Sequence, residues 1–208
     1  MDTTSLSQQV YQILLNKILS GEYPSGTLLN RRTIAEGFHV SVAPVLEAML
    51  QLEKDGLLET IPRKGTRVTV IRSEQVSGNL LIREALETAA VRIICAGRER
   101  TLLETLRPVA EKIDRLGNSD NTFFSMDRQF HCALVALCGN DTLSAEYERS
   151  SRLTFFYNIS NFVPLSQSQI QQSHLDFLEV LMTADPDTAQ RAVHAHIASG
   201  KQDLILSV

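Results

Sequence analysis

Apolar residues recur with two different periods along the 208-residue chain, and the change of period divides it. In LSQQVYQILLNKILS, residues 6–20, Val10, Ile13, Leu14, Ile18 and Leu19 fall on one face at helical spacing, and Gly21 ends that helix. GEYPSGTLL reads as a loop. NRRTIAEGF predicts a short helix capped by Asn30, with Ile34, Ala35 and Phe38 inward. After HVS, another helix starts from Ser41, a favourable N-cap. Pro44 lies in its first turn, where a missing N–H does little harm. Val45, Ala48, Met49 and Leu52 follow at i, i+3, i+4 and i+7 and point to a core. Past Gly56 the pattern becomes strand-like, with LLETI and TRVTVI on either side of the turn PRKG. Three helices and then a β-hairpin wing is the element order of a winged helix-turn-helix, here over residues 1–72.

From about residue 77 the pattern is helical throughout. Six segments are predicted, at 76–97, 99–117, 120–138, 141–161, 166–183 and 186–206. Gly97, Gly117, Gly139 and the capping signal ADPD at 184–187 punctuate them, and Pro186 suits a first helical position. With no strand signal in this part, the expectation is an all-α antiparallel six-helix bundle over residues 76–208, joined to the head by a brief linker near IRSEQ, 71–75. The chain as a whole is read as mainly α.

Composition narrows the picture. An apolar fraction of 43% suits real cores, and no stretch approaches the roughly 20 apolar residues of a membrane span. The N-terminus is polar and lacks a signal-peptide pattern, so a cytoplasmic location is expected. Cys95, Cys132 and Cys138 form no CxxC pair and read as buried reduced thiols. The net charge of −4 by itself disfavours nucleic acid, but it is unevenly spread. Residues 1–72 hold 8 Lys and Arg against 7 Asp and Glu, whereas residues 73–208 hold 12 against 17. A near-neutral head on an acidic body is compatible with DNA binding if the head's basic groups are clustered.

Candidate chemistry lies on the apolar faces of the second half. In FFSMDRQFHCALVALC, Asp127 and His131 are four apart and share a face with Phe124, Leu134 and Cys138. His174 lines up with Phe177, Leu178 and Leu181, and His196 with Val193, Ala192 and Gly200. Four groups able to ligate a metal therefore point inward from three helices. Three imidazoles and one carboxylate suit a borderline divalent cation, Zn²⁺ or Ni²⁺ ahead of Mn²⁺. Helical phase alone leaves two readings open, a metal site or satisfied core histidines. His194 points to another face and reads as solvated. His39, in the turn, reads as a surface or phosphate-contact residue rather than a ligand.

On these residues the whole chain resembles a GntR-family transcriptional regulator of the FadR subfamily. The specific pieces in the head are ILSGEYPSGTLL, APVLEAMLQLEKDGLLE and PRKGTRV. IREALETAAVR, DRQFHCALVALCGNDTL, SHLDFLEVL and DPDTAQRAVHAHI mark the helical part, whose six helices resemble the smaller, VanR-like variant. The resemblance implies a homodimer whose heads straddle a palindromic operator on double-stranded DNA. It also implies a metal held by an Asp and three His, matching Asp127, His131, His174 and His196, beside a site for a small carboxylate effector. Arg83 and Arg152 are candidates to clamp that carboxylate; each is otherwise an ordinary surface ion pair.

One departure from the family falls on the recognition helix. Where the family reads VSRTPVREAL or similar, this chain has VSVAPVLEAM, so Val42 and Leu46 replace two arginines. The remaining DNA-contact candidates are Arg31, Arg32, Ser41, Arg63, Lys64, Thr66 and Arg67, alongside Val42 and Leu46 themselves. Three readings compete: Val42 and Leu46 meet thymine methyls, the head binds weakly and relies on dimerisation, or specific binding has been lost. The retained basic residues favour the first. The function expected is a ligand-responsive regulator, most commonly a repressor, and not an enzyme. The alternatives are a metal-dependent hydrolase or lyase, which needs a spare inward Glu that the spacing does not reveal, or a regulator-like dimer without specific DNA binding.

Overall fold

The computed structural model describes residues 5–70, 73–116, 121–160 and 172–199. It divides into two compact units, Met1–Ile71 and Arg72–Val208. In the first, α1 (Leu6–Leu19), α2 (Arg31–Gly37) and α3 (Val42–Lys54) precede the hairpin of β2 (Leu58–Ile61) and β3 (Gly65–Val68). The stretch expected to be all loop also holds a two-residue strand, β1 (Leu28–Leu29). It pairs antiparallel with β3 through Leu28–Arg67 and Leu29–Thr66, giving the sheet order β1-β3-β2. Two residues are too few to show a period, so only the partner strand reveals this one.

The core of the first unit is Leu14, Ile18, Val45, Leu52, Leu57 and Val68, all fully buried. On α1 the buried face is Val10, Tyr11, Leu14, Leu15 and Ile18. It is turned from the face expected: Ile13 is exposed and Leu19 only half-buried. Tyr11 accounts for the turn, because its hydroxyl reaches inward to donate a hydrogen bond to buried Asp55 at 2.5 Å. Asp55 caps α3, and Gly56 follows at φ +78°. The Leu57 N–H then reaches back to the Leu52 carbonyl and the Gly56 N–H to that of Glu53, which closes the helix end in a Schellman motif over two buried leucines.

The second unit contains α4 (Ser73–Ala96), a 3₁₀ segment (Arg98–Leu106), α5 (Arg107–Leu116), α6 (Asn121–Ala136), α7 (Asp141–Ser160), α8 (His174–Thr183) and α9 (Pro186–Ala198). The single helix expected at 99–117 is therefore two elements. Pro108 explains the break: it offers no N–H to the Glu104 carbonyl, and its ring would collide with that carbonyl in a continuous helix. The chain tightens instead, with the Arg107 N–H on Glu104, and the 3₁₀ period puts Leu103 and Leu106 on one buried side. Helix α4 begins inside the stretch expected as linker. The expected extensions over 161–171 and 200–206, and Gly200, lie outside the described residues. Helix α4 packs on α7 and α9, α6 on α7, and α5 on α8. Among the described residues, no helix is long and apolar enough to cross a membrane.

Gly56→Ala forces a Cβ into the left-handed region. It should destabilise the first unit by about 1–2 kcal/mol, read as a lower denaturation midpoint in equilibrium unfolding; an unchanged midpoint would rule out the turn as the determinant of the helix end.

Candidate metal centre and DNA-reading surface

On α6 the buried residues are Phe123, Asp127, Phe130, His131, Leu134, Val135 and, past its end, Cys138. Phe123 rather than Phe124 completes the face, whose other expected members are all buried. The i, i+4 spacing stacks Asp127 and His131 on this side. His174 opens α8, and His196 lies on the buried side of α9 with Val193, while Ala192 is half-buried. All four ligand-type residues are buried, and one potential ligand atom from each lies within 4.8 Å of the others. Donors around a tetrahedral Zn²⁺ stand about 3.3 Å apart, so the four groups are close enough to share one ion once they draw in around it. The rings cluster as the ligand atoms do: centroids are 5.6 Å apart for His131 and His174, 5.2 Å for His131 and His196, and 4.7 Å for His174 and His196. Phe177 stacks flat on His196 at 4.3 Å, and Phe130 meets the rings of His131 and His174 edge-on.

Two of the imidazoles are held from behind. His131 turns Nε2 toward Asp127 Oδ1, at 3.6 Å, while its Nδ1 donates to Glu87 Oε1 at 2.8 Å. His174 turns Nε2 toward the same Asp127 oxygen, at 3.2 Å, and its Nδ1 lies 3.5 Å from Asp114 Oδ1. The bond to Glu87 fixes the His131 tautomer that leaves Nε2 for the centre, the usual outer arrangement of metal-binding histidines, and the Asp114 carboxylate lies behind the His174 ring. Asp114 is itself held by the Ser173 hydroxyl and the backbone N–H groups of His174 and Leu175. Burial pushes its pKa up, but these bonds and His174 outweigh burial and hold it below the ordinary range.

Glu87 is an inward Glu that the spacing did not reveal, though not a spare one. It is fully buried, and its second oxygen accepts from the Tyr147 hydroxyl at 2.6 Å. The Arg83 guanidinium donates to the same hydroxyl, at 3.0 and 3.3 Å. Burial raises the Glu87 pKa, yet His131, Arg83 and Tyr147 together hold it below the usual carboxylate range. With both oxygens committed, Glu87 orients His131 and does not stand free as a general base. Arg83, expected as an ordinary surface pair if not a clamp, is 3% exposed. Arg152 fits the ion-pair alternative, bonding Glu148 one turn away at 3.0 Å. Sequence reasoning missed Glu87, Tyr147 and Asp114. A signal existed for the first: Leu80, Arg83, Glu87, Val91 and Ile94 form one helical stripe, and its two charged members are as buried as its apolar ones. None existed for Asp114, which meets α8 from 60 residues away.

His194 is exposed and bonds Glu84, as its phase implied. Cys95 and Cys138 are buried and Cys132 is half-buried, all free thiols.

In the first unit, Asn30 caps α2 by accepting from the backbone of Arg32 and Thr33, which fixes Arg31 and Arg32 in the exposed first turn. Leu28, Arg31, Arg32, Val42 and Lys64 line one open groove between β1, the starts of α2 and α3, and the wing. Ser41, Val42 and Arg32 line a neighbouring one with exposed His39. The Ser41 hydroxyl makes no capping bond. Arg63 sits at the wing turn with φ +64°, after Pro62, and the Lys64 N–H closes the turn on Ile61. Two DNA-contact candidates are less available than expected. Thr66 is 5% exposed, covered at the β1–β3 pairing, and Arg67 is paired with Glu59 at 2.9 Å.

In the metal-free protein, burial lowers the His131 pKa but Glu87 and Asp127 outweigh it, raising it from 6.5 to about 8. A raised histidine pKa stabilises the fold fully below the unfolded value of 6.5 and loses that contribution as pH rises through about 8. The melting temperature of metal-free protein is therefore expected to fall between pH 6.5 and 8.5, and His131→Gln should flatten that fall. A profile identical in the variant would remove His131 as its source.

The comparisons with known proteins follow this division of the chain. Residues 6–68 match the family described as bacterial regulatory proteins, gntR family, and residues 80–199 match the FCD domain. The chain is 30% identical over 192 residues to the uncharacterized HTH-type transcriptional regulator YdhC of Bacillus subtilis, covering 90% of this chain and 86% of that one. It is 29% identical over 206 residues to the HTH-type transcriptional repressor RspR of Escherichia coli, covering 94% and 87%. Among solved structures, E. coli McbR/YncC shares the fold with a TM-score of 0.73 at 22% identity, over 98% of each chain.

Proposed function

The chain belongs to the gntR family of bacterial regulatory proteins, with an FCD domain as its second unit, and from that membership we propose a metal-containing repressor that releases operator DNA when a small carboxylate binds in the FCD domain. Regulators of this family bind DNA through the winged helix-turn-helix head and sense ligands through the FCD domain. Repression is the mode in the name of RspR, the relative 29% identical over nearly the whole chain. The chain acts as a homodimer whose two heads address the halves of a palindromic operator.

The observation that carries the metal is the convergence of Asp127, His131, His174 and His196 within 4.8 Å, together with the carboxylates of Glu87 and Asp114 behind two of the rings. The donor set fits Zn²⁺ or Ni²⁺ better than Mn²⁺. Once bound, the ion supplies a positive centre against which a carboxylate can be held. Arg83 is buried next to this cluster and is the better candidate to meet the ligand's far end. Arg152 already has an acidic partner in Glu148. To regulate, the ligand must bind the DNA-competent and released arrangements of the dimer unequally.

Replacing His131 and His174 together with alanine should abolish stoichiometric metal, measured by elemental analysis of purified protein. Full metal content in that variant would refute the assignment. Glu87→Gln leaves every ligand in place but weakens the orienting bond, and should lower metal affinity about 10-fold or more in a chelator competition; equal affinity would deny Glu87 its positioning role.

For the head, affinity for duplex DNA should fall steeply with salt, with a log–log slope of about −0.9 per phosphate neutralised. Affinity that is flat with salt would exclude contact through Arg31, Arg32, Arg63 and Lys64.

A further inference from the structure

Apolar side chains continue from the buried face of α3 onto its exposed surface. Val42 is 43% and Leu50 48% exposed, Leu46 between them is half-buried, and the three stand at i, i+4 and i+8 on one side. They flank Val45, Ala48, Met49 and Leu52, the residues that bury α3 in its own unit, and Glu47, Gln51 and Lys54 share the exposed surface beyond them. We propose that this ridge reads the operator through thymine methyl groups, with Arg31, Arg32, Arg63 and Lys64 supplying the phosphate contacts. The inference rests on the head's binding DNA and adds what it recognises there.

The chemistry of the ridge limits what it can read. Valine and leucine have no hydrogen-bond donor or acceptor, so the polar edges of the bases offer them nothing. In the major groove the one apolar group a base pair presents is the C5-methyl of thymine. Guanine shows only acceptors on that side, and the first two turns of α3 hold no donor side chain apart from Ser41 at the cap. Glu47, the one charged residue there, is itself an acceptor.

An apolar ridge would also suit a protein partner, and the charges around it favour DNA. Among the described residues, Arg31, Arg32, Arg63 and Lys64 have no acidic partner. Arg67, Arg92, Arg107, Arg115, Arg149 and Arg152, by contrast, each hold a carboxylate. Lys54, Lys112 and Arg191 also lack an acidic partner among those residues, but Arg31, Arg32 and Lys64 are gathered in one groove with Val42. Arg63 occupies the wing turn in a left-handed conformation that costs an ordinary residue about 1–2 kcal/mol. Uncompensated positive charge beside exposed hydrocarbon is complementary to a polyanion that carries methyl groups in its groove.

The test uses the full-length protein. Duplexes are selected from a random pool, and the preferred site is resynthesised with deoxyuridine in place of thymine, which removes only the methyl and keeps base pairing. The selected half-sites should contain thymine, and affinity should drop about fourfold for each contacted methyl removed. Val42→Ala should weaken binding to the thymine duplex and lose most of that effect on the deoxyuridine duplex. Being exposed, it should leave the fold intact. Equal affinity for the two duplexes, selected half-sites lacking thymine, or binding without sequence preference would each overturn methyl reading while leaving DNA binding in place. Absence of salt-sensitive binding to any duplex would overturn the DNA-binding reading itself.

Discussion

The Nδ1 hydrogen bond from His131 to Glu87 organises the interior of the second unit. Without it the imidazole has no reason to present Nε2 to Asp127, and the Glu87 carboxylate loses its closest cation. The bond ties α6 to α4, and the Tyr147 hydroxyl on the other Glu87 oxygen ties α4 to α7. Buried charges destabilise a fold unless each is paired and hydrogen-bonded. Here Arg83, Glu87, Asp127 and His131 are mutually compensating, and the cluster is coherent only with all its members present.

His174 follows the same logic from another direction. Asp114 on α5 receives the first backbone N–H groups of α8 and stands behind the His174 ring. One carboxylate thus caps the start of α8 and places a negative charge behind the His174 ring. Two rings from different helices consequently aim their Nε2 atoms at one oxygen of Asp127, and His196 closes the cluster from α9 while stacked on Phe177. A cation entering here would need ring orientations that the second unit already supplies.

The head solves a different problem. Its interior is apolar apart from a few buried polar groups, the Tyr11–Asp55 bond among them, and its unpaired basic groups are carried outside. The first two turns of the recognition helix carry no cation, so the grip on DNA phosphate beside them falls to α2 and the wing. That separates affinity from specificity more sharply than in a helix that carries arginines at both tasks.

Local pattern determined much of this protein. The element types of the head, the helical second unit, the cap at Asn30 and the inward phase of Asp127, His131, His174 and His196 all follow from short-range spacing, because helix period and capping are local properties. The quoted motifs carried the family resemblance, and both family models match the chain. Tertiary structure decided what depends on partners distant in sequence. β1 exists only through pairing with β3, and α1 turned its face so that Tyr11 could reach Asp55. Helical phase puts Glu87 and Arg83 on an apolar stripe, but only α6 and α7 supply the partners, His131 and Tyr147, that let those charges stay inside. Pro108 was legible and should have broken the helix expected at 99–117. Asp114 was not legible, because nothing in its own surroundings records that the start of α8 folds back onto it from 60 residues downstream.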